Sequence, residues 1–120
     1  MIDSHYDEEG TNIQLSKMLK LEIIVSGEDE AMVTEMIQKA GVTGYTIIPN
    51  VSGYGHDGFH EGRLLFNDMA SLIMIMTVAP QSVINSVAKG MKTLFEEKSG
   101  VMFVSEVSVA RMGYFSAVSR

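Results

Sequence analysis

The chain has 120 residues, of which 46% are hydrophobic and 20% charged, and its formal net charge is −6. This length and apolar content predict one globular domain and exclude a disordered chain, which lacks the apolar side chains needed to offset the entropy of ordering. The absence of cysteine excludes disulfides, thiolate metal sites and thiol nucleophiles, and the acidic balance argues against nucleic acid as a partner.

Residues 1–13 are expected to form a flexible acidic tail, and residues 14–120 a single domain. Four of the fifteen acidic side chains lie within the first ten positions. The N-terminus lacks the basic and apolar segments of a signal peptide, and the longest mainly apolar stretch, residues 69–78, is far shorter than the roughly 20 residues of a membrane helix. We therefore expect a cytoplasmic protein.

The first half of the domain predicts a strand, a helix and a second strand. Alternating apolar residues over 19–25 indicate a strand. Ser26 with Asp29 is typical of a helix start, apolar residues then recur at helical spacing from 32 to 40, and Gly41 is a natural stop. Residues 42–48, rich in Thr, Tyr and Ile, predict the second strand.

The second half predicts the same order of elements. The apolar run 70–78 indicates a central strand covered on both faces, an amphipathic helix follows Pro80, and residues 101–112 predict a last strand. Two such β-α-β units predict an α+β, ferredoxin-like βαββαβ domain with an antiparallel sheet, two helices on one face and a long loop between strands 2 and 3. The ten methionines are either flexible core filler or part of a sheet face buried in an oligomer.

The long loop over residues 50–68 holds four of the eleven glycines and two of the three histidines. Its Gly53-Tyr54-Gly55 segment either forms an ordinary turn or presents backbone N–H groups to an anion. His56, Asp57, His60 and Glu61 are either ligands for a divalent metal or a solvated polar loop. No serine lies in a nucleophile-elbow motif and no carboxylate pair stands out, so we do not expect an enzyme.

Three ordered motifs resemble the PII signal-transduction family. They are the Gly-Val-Thr-Gly-Tyr-Thr run at 41–46, the Val-Ser-Gly-Tyr-Gly run at 51–55 and the Val-Ala-Pro step at 78–80. The final core strand at 102–107 also resembles that of the family. The resemblance covers residues 19–112 and implies a non-enzymatic, homotrimeric regulator that binds adenine nucleotides between subunits. A mobile loop, the T-loop, would report the ligand to a membrane transporter or an enzyme.

The resemblance also implies a set of nucleotide-binding positions. Ile24 and Val78 match positions near the adenine, Thr46 matches a threonine that touches the nucleotide, and His56 stands where the family has a basic residue. The full predicted set is Ile24, Thr46, Gly53, Tyr54, Gly55, His56, Val78, Lys98, Ser99, Gly100 and Arg111.

The chain departs from the family where phosphate is bound. Only Glu-Glu-Lys-Ser-Gly at 96–100 remains of a Thr-Gly-x-x-Gly-Asp-Gly-Lys segment, and Arg111 lies one place away from the arginines expected in the last strand. In this the chain resembles the carboxysome-associated PII proteins linked to inorganic carbon, which implies ADP or AMP, with ATP as a further candidate, together with bicarbonate. Candidates for the anion site are Gly55, His56, Asp57 and Arg63. The alternative is a metal-binding PII-like or CutA-like trimer that uses His56 and His60.

Overall fold

The computed structural model describes residues 2–6, 12–53 and 71–110, with side chains from residue 14 onward in these ranges. These ranges contain five strands and two α-helices, and a short 3-10 turn, Gly27–Asp29, precedes the first helix. In chain order the elements are β1 (Ile2–Tyr6), β2 (Asn12–Ser26), α1 (Glu30–Lys39), β3 (Thr46–Val51), β4 (Leu72–Ala79), α2 (Gln81–Phe95) and β5 (Gly100–Val109).

The sheet is antiparallel and is built around β2. This strand pairs with β4 from Leu19↔Ala79 to Ser26↔Leu72, and with β5 from Ser16↔Val109 to Val25↔Gly100. β3 pairs with β4, and β1 pairs with the beginning of β2. The four strands β3, β4, β2 and β5 thus stand in the order of a ferredoxin-like sheet, which confirms the predicted fold class.

The core lies between one face of this sheet and the two helices. Leu21, Ile23 and Val25 of β2 are completely buried, and Ile73 and Ile75 of β4 lie on the same face. The helices add Val33, Ile37, Ile84, Val87 and Met91 to this cluster. The predicted alternation in β2 is therefore confirmed, because every second residue of the strand faces the helices.

The end of α1 follows the predicted stop. Gly41 has a φ of +113°, a left-handed conformation that glycine adopts without the steric cost of a Cβ atom. The N–H groups of Gly41 and Val42 donate to the carbonyls of Gln38 and Ile37, so the last turn of the helix keeps its acceptors satisfied.

Several predicted boundaries differ from the structure, among them that of β4, which spans Leu72–Ala79 rather than residues 70–78. β2 begins at Asn12 rather than at residue 19, and residues 2–6, expected to belong to a flexible tail, form β1 along it. Backbone pairing extends these strands beyond the apolar pattern that predicted them. The last strand, predicted over 101–112, begins at Gly100 and extends to Val109, and residues 111–112 lie outside the described part of the chain.

The second predicted strand is displaced along the chain. β3 begins at Thr46 and continues through Pro49, whereas residues 42–45 are not in a strand. Proline is tolerated there because β3 lies at an edge of the described sheet, where a missing N–H breaks no ladder. A register shift separates Ile48 from Val51, and between them Asn50 has a φ of 55°, a conformation for which asparagine is suited.

Both described helices fall short of the length and apolar content needed to cross a membrane.

Gly100 should be sensitive to the addition of a single methyl group. A Cβ atom there would lie 2.7 Å from the Phe95 ring, 2.9 Å from Val25 and 3.0 Å from the carbonyl oxygen of Ile24. Because one of these atoms belongs to the backbone, we expect Gly100→Ala to lower the free energy of unfolding by roughly 1–3 kcal/mol, as overpacking does. Urea unfolding at fixed protein concentration measures this change.

Gly53→Ala is the matched control, because a Cβ atom added at Gly53 would meet no described atom within 4 Å. We expect its unfolding midpoint to equal that of the wild type within error. Equal midpoints for Gly100→Ala and Gly53→Ala would show that the packing around Gly100 is not as close as described.

Candidate functional site

A groove of about 650 Å³ lies on the sheet face that the helices leave uncovered. Its floor comes from β2, β4 and β5, and the segment leading into β3 forms one wall. The described residues that line it are Lys20, Gly44, Tyr45, Thr46, Met76, Thr77, Val78, Val107, Ser108, Val109 and Ala110. The volume falls within the range of roughly 300–1,000 Å³ that is usual for small-molecule sites.

The chemistry of the groove is mainly apolar. Met76, Val78 and Val107 are half-buried on this face and give it a hydrophobic floor. Thr46 supplies an exposed hydroxyl at the beginning of β3, and Lys20 supplies an ammonium group from β2. A flat apolar surface with a few polar groups suits an aromatic ring that carries polar substituents, because the ring buries its faces while its edges form hydrogen bonds.

A partly buried hydrogen bond holds the wall of the groove in place. The Thr77 hydroxyl donates to the carbonyl oxygen of Gly44 at 2.5 Å, and Thr77 itself is buried. This bond ties the segment before β3 to the end of β4. It therefore sets where Tyr45 and the beginning of β3 lie beside β4.

The other described candidates lie at the opposite end of the sheet. Ile24 is half-buried on the same open face and pairs with Met74 and Val101. Gly100 pairs with Val25, and Gly53 follows the end of β3, so these residues cluster where β2 and β3 end. Ile24 and Lys20 are four residues apart along β2, a separation of about 13 Å.

Lys98 is engaged in an ion pair at this second end. Its Nζ lies 3.2 Å from Oδ1 of Asp29, whose side chain is only 8% exposed. The pair joins the turn before β5 to the beginning of α1. Because a buried carboxylate that loses its cation is costly, Asp29 keeps the Lys98 ammonium close to the protein surface.

The structure thus separates the described candidates into two groups and leaves the rest outside its range. Thr46 and Val78 lie in the groove, and Ile24, Gly53, Lys98, Ser99 and Gly100 lie near the other end. The remaining candidates fall outside the described residues: Tyr54, Gly55, His56, Asp57, His60, Glu61, Arg63 and Arg111. Among residues 14–53 and 71–110, no three His, Asp or Glu side chains come together as a metal site.

Nine of the eleven described groove residues were absent from the sequence-based set, and three of them, Lys20, Met76 and Val107, form part of its floor. Their positions follow from strand register, since Lys20 pairs with Val78 and Met18 pairs with Val107. Lys20 carried one signal in the sequence, since it alternates with apolar residues and shares the polar side of that pattern with Glu22. The other two are apolar residues that resemble ordinary core positions until the uncovered face is known.

The described architecture matches solved structures of PII-like proteins. CPII from Thiomonas intermedia K12, bound to ADP, AMP and bicarbonate, is 41% identical, with a TM-score of 0.72 over 83% of this chain and 94% of that one. CPII bound to ADP, AMP and acetate is 37% identical, with a TM-score of 0.71 over 86% of this chain and 98% of that one.

A more distant structure shares the fold alone. The complex of GlnK from B. subtilis with ATP is 21% identical, with a TM-score of 0.55 over 76% of this chain and 82% of that one. The comparison with curated proteins gave no significant match. A family model described as nitrogen regulatory protein P-II matches residues 18–114. The chain therefore belongs to the P-II family.

Proposed function

We propose that this protein is a non-enzymatic PII-like signalling regulator that binds ADP or AMP together with bicarbonate. The observation that carries the proposal is the apolar groove, which brings Thr46 and Val78 together on the uncovered sheet face. CPII, which is 41% identical, is bound to ADP, AMP and bicarbonate in its own structure. The half-buried Met76 and Val78 would cover one face of the adenine, and Thr46 would bind its edge or the ribose.

The site is proposed to lie between two subunits. Ile24 and Val78 are both expected near the adenine, yet in one protomer they lie at different ends of the sheet, since Val78 pairs with Lys20. A neighbouring copy that brings its Ile24 end against this groove would complete the set around one nucleotide. Such head-to-tail contacts close into a ring when the rotation between copies allows it, as in a homotrimer.

The uncovered sheet face supports this assembly. Ile48, Val101 and Phe103 are exposed large apolar side chains on that face. Contiguous apolar surface of this kind is rare on monomers and is typical of interfaces between subunits. We propose that these side chains are buried between copies in a homotrimer.

Bicarbonate is proposed as the second ligand because the relatives hold small carboxylate-type anions. CPII is bound to bicarbonate in one structure and to acetate in another, in both cases with ADP and AMP. Both anions present two oxygens in a plane, which backbone N–H groups and cations recognise. The proposed anion ligands in this chain are Gly55, His56, Asp57 and Arg63, next to the end of β3.

The output of the regulator is proposed to pass through the T-loop segment between β3 and β4. β3 and β4 line the groove at one end and lead into that segment at the other, so a nucleotide held between the groove of one copy and the Gly53 end of another would contact the beginning of the neighbouring copy's segment. In many regulators, ligand binding orders a chain segment, and a partner then recognises the ordered form. The proposed target is a transporter or carbon-fixation protein of inorganic-carbon uptake, in the cytoplasm and linked to carboxysomes.

Calorimetry with ADP, AMP and ATP, each with and without bicarbonate, tests the proposed function. We expect ADP or AMP to bind at least as tightly as ATP with magnesium, because Lys20 is the single charged side chain among the described groove residues. Each further phosphate then adds negative charge that few cations balance, in a protein whose net charge is −6. ATP binding tenfold tighter than ADP would contradict this, and no binding of any nucleotide would contradict the function.

Light scattering of the Phe103→Asp variant tests the proposed assembly. Phe103 is 51% exposed on the open sheet face, and Met32 is 48% exposed on α1 in the helix layer. We expect the wild type and Met32→Asp to have trimer masses at micromolar concentration. Phe103→Asp should be a monomer, because a carboxylate buried between subunits without a partner is unfavourable. A trimer mass for Phe103→Asp would show that this face is not the interface.

A further inference from the structure

Lys20 occupies an unusual position for a surface lysine. It is a half-buried residue in the middle of the central strand, and it is the single charged residue among the described residues that line the groove. Its direct cross-strand neighbours are Val78 on β4 and Ser105 on β5, neither of which carries a negative charge. The groove therefore holds a positive charge on an apolar floor.

The carboxylate that does lie near Lys20 is a weak partner. Oε2 of Glu22 is 3.8 Å from the Lys20 ammonium, at the outer limit of an ion pair, and the two side chains are 32% and 31% exposed. Partly exposed pairs with such long separations contribute little to stability. Glu22 also pairs with Met76 and Phe103 across the sheet, one position further along the face. Its hold on Lys20 is therefore weak enough for a bound anion to replace it.

The other described cation of the predicted site is held elsewhere. Lys98 lies against Asp29 near the opposite end of β2, and withdrawing it would leave the buried carboxylate unpaired. The carboxylate described next to Lys20, that of Glu22, is in contrast 31% exposed. Its four-carbon stem also lets the ammonium group adjust to an anion within the groove.

We propose that Lys20 binds an oxyanion of the ligand, with Glu22 as its counter-ion while the groove is empty. The proposal rests on the proposed nucleotide and bicarbonate function and names a residue that supplies the charge for it. The oxyanion is a phosphate of the nucleotide or the bicarbonate ion, which share the chemistry that an ammonium group recognises. When the anion enters, Lys20 exchanges a long contact with Glu22 for a charge-assisted hydrogen bond.

The test is calorimetric titration of the Lys20→Met variant with adenosine, AMP and ADP, each with and without bicarbonate. Methionine keeps the apolar stem and removes the charge. We expect the loss of one charge-assisted hydrogen bond to weaken binding by roughly tenfold or more. If the oxyanion is a phosphate, AMP and ADP lose this affinity without bicarbonate present. If the oxyanion is bicarbonate, Lys20→Met loses only the gain in nucleotide affinity that bicarbonate gives to the wild type. Adenosine alone should bind as it does to the wild type.

Two matched variants complete the design. Lys39→Met removes the same charge from an exposed position at the end of α1 and should leave all affinities unchanged. Glu22→Gln should raise oxyanion affinity several-fold, because it removes the competing charge, whereas Glu28→Gln at an exposed position should not. Lys20→Arg should retain most of the binding.

Three results would overturn the proposal. One is unchanged AMP, ADP and bicarbonate binding by Lys20→Met, and another is an equal loss for adenosine, which would place Lys20 against the base or ribose. The third is dissociation of the trimer by Lys20→Met, which would assign the residue to assembly. Titration of the wild type separates a failure of the Lys20 proposal from a failure of the proposed function. If the wild type itself binds no nucleotide, the proposed function is refuted, whatever Lys20→Met does.

Discussion

The two-residue period of β2 is the constraint on which the rest of the molecule depends. Side chains of a strand alternate between faces, so a central strand has to serve two environments at once. In β2 the residues Leu21, Ile23 and Val25 pack against the helices and are completely buried. The residues that alternate with them, Lys20, Glu22 and Ile24, lie on the uncovered face. The strand that holds the core together is thus also the strand that carries the site.

This arrangement couples the rigidity of the site to the stability of the fold. β2 is hydrogen-bonded on both sides, by β4 and by β5, so its backbone has little freedom to shift. Two side-chain interactions then fix the ends of the open face. The bond from Thr77 to Gly44 positions the wall beside β3, and the pair between Asp29 and Lys98 positions the turn before β5. Groups held by a rigid sheet bind a ligand with a smaller loss of entropy.

The sequence was sufficient for the fold because its strongest patterns come from burial. The alternation from 19 to 25 and the amphipathic pattern after Pro80 are both signatures of packing against one layer, and both elements are found where they were predicted. Boundaries set by backbone pairing were less predictable. β2 extends to Asn12 through pairing with β1, and β3 continues past Pro49 because an edge strand can lack a donor.

The site was predictable only where a family motif covers it. Thr46 lies in the first of the three motifs and Val78 in the third, and the groove brings them together. Met76 belongs to no such motif, and Val107 ends a segment that resembles the family's last core strand, so both look like core residues. Only the register of three strands reveals that they share a surface. The division of the candidates between two ends of the sheet was equally hidden, because order along the chain does not show which residues of one copy meet those of another.

The central claim is that one nucleotide is bound by two copies of the chain, and co-assembly of two defective variants tests it most directly. Thr46→Glu places a negative charge in the groove, and Gly53→Glu places one at the other end, where the protomer has open space. Each variant alone should bind no ADP.

In mixed trimers, some clefts join an unaltered groove from one variant to an unaltered Gly53 end from the other. Equal random mixing in a three-fold ring should restore about a quarter of the clefts. Calorimetry of the mixed trimers, with their composition verified by differently tagged subunits, should detect this fraction of ADP sites. Mixed trimers that bind no ADP would show that each site lies within a single copy.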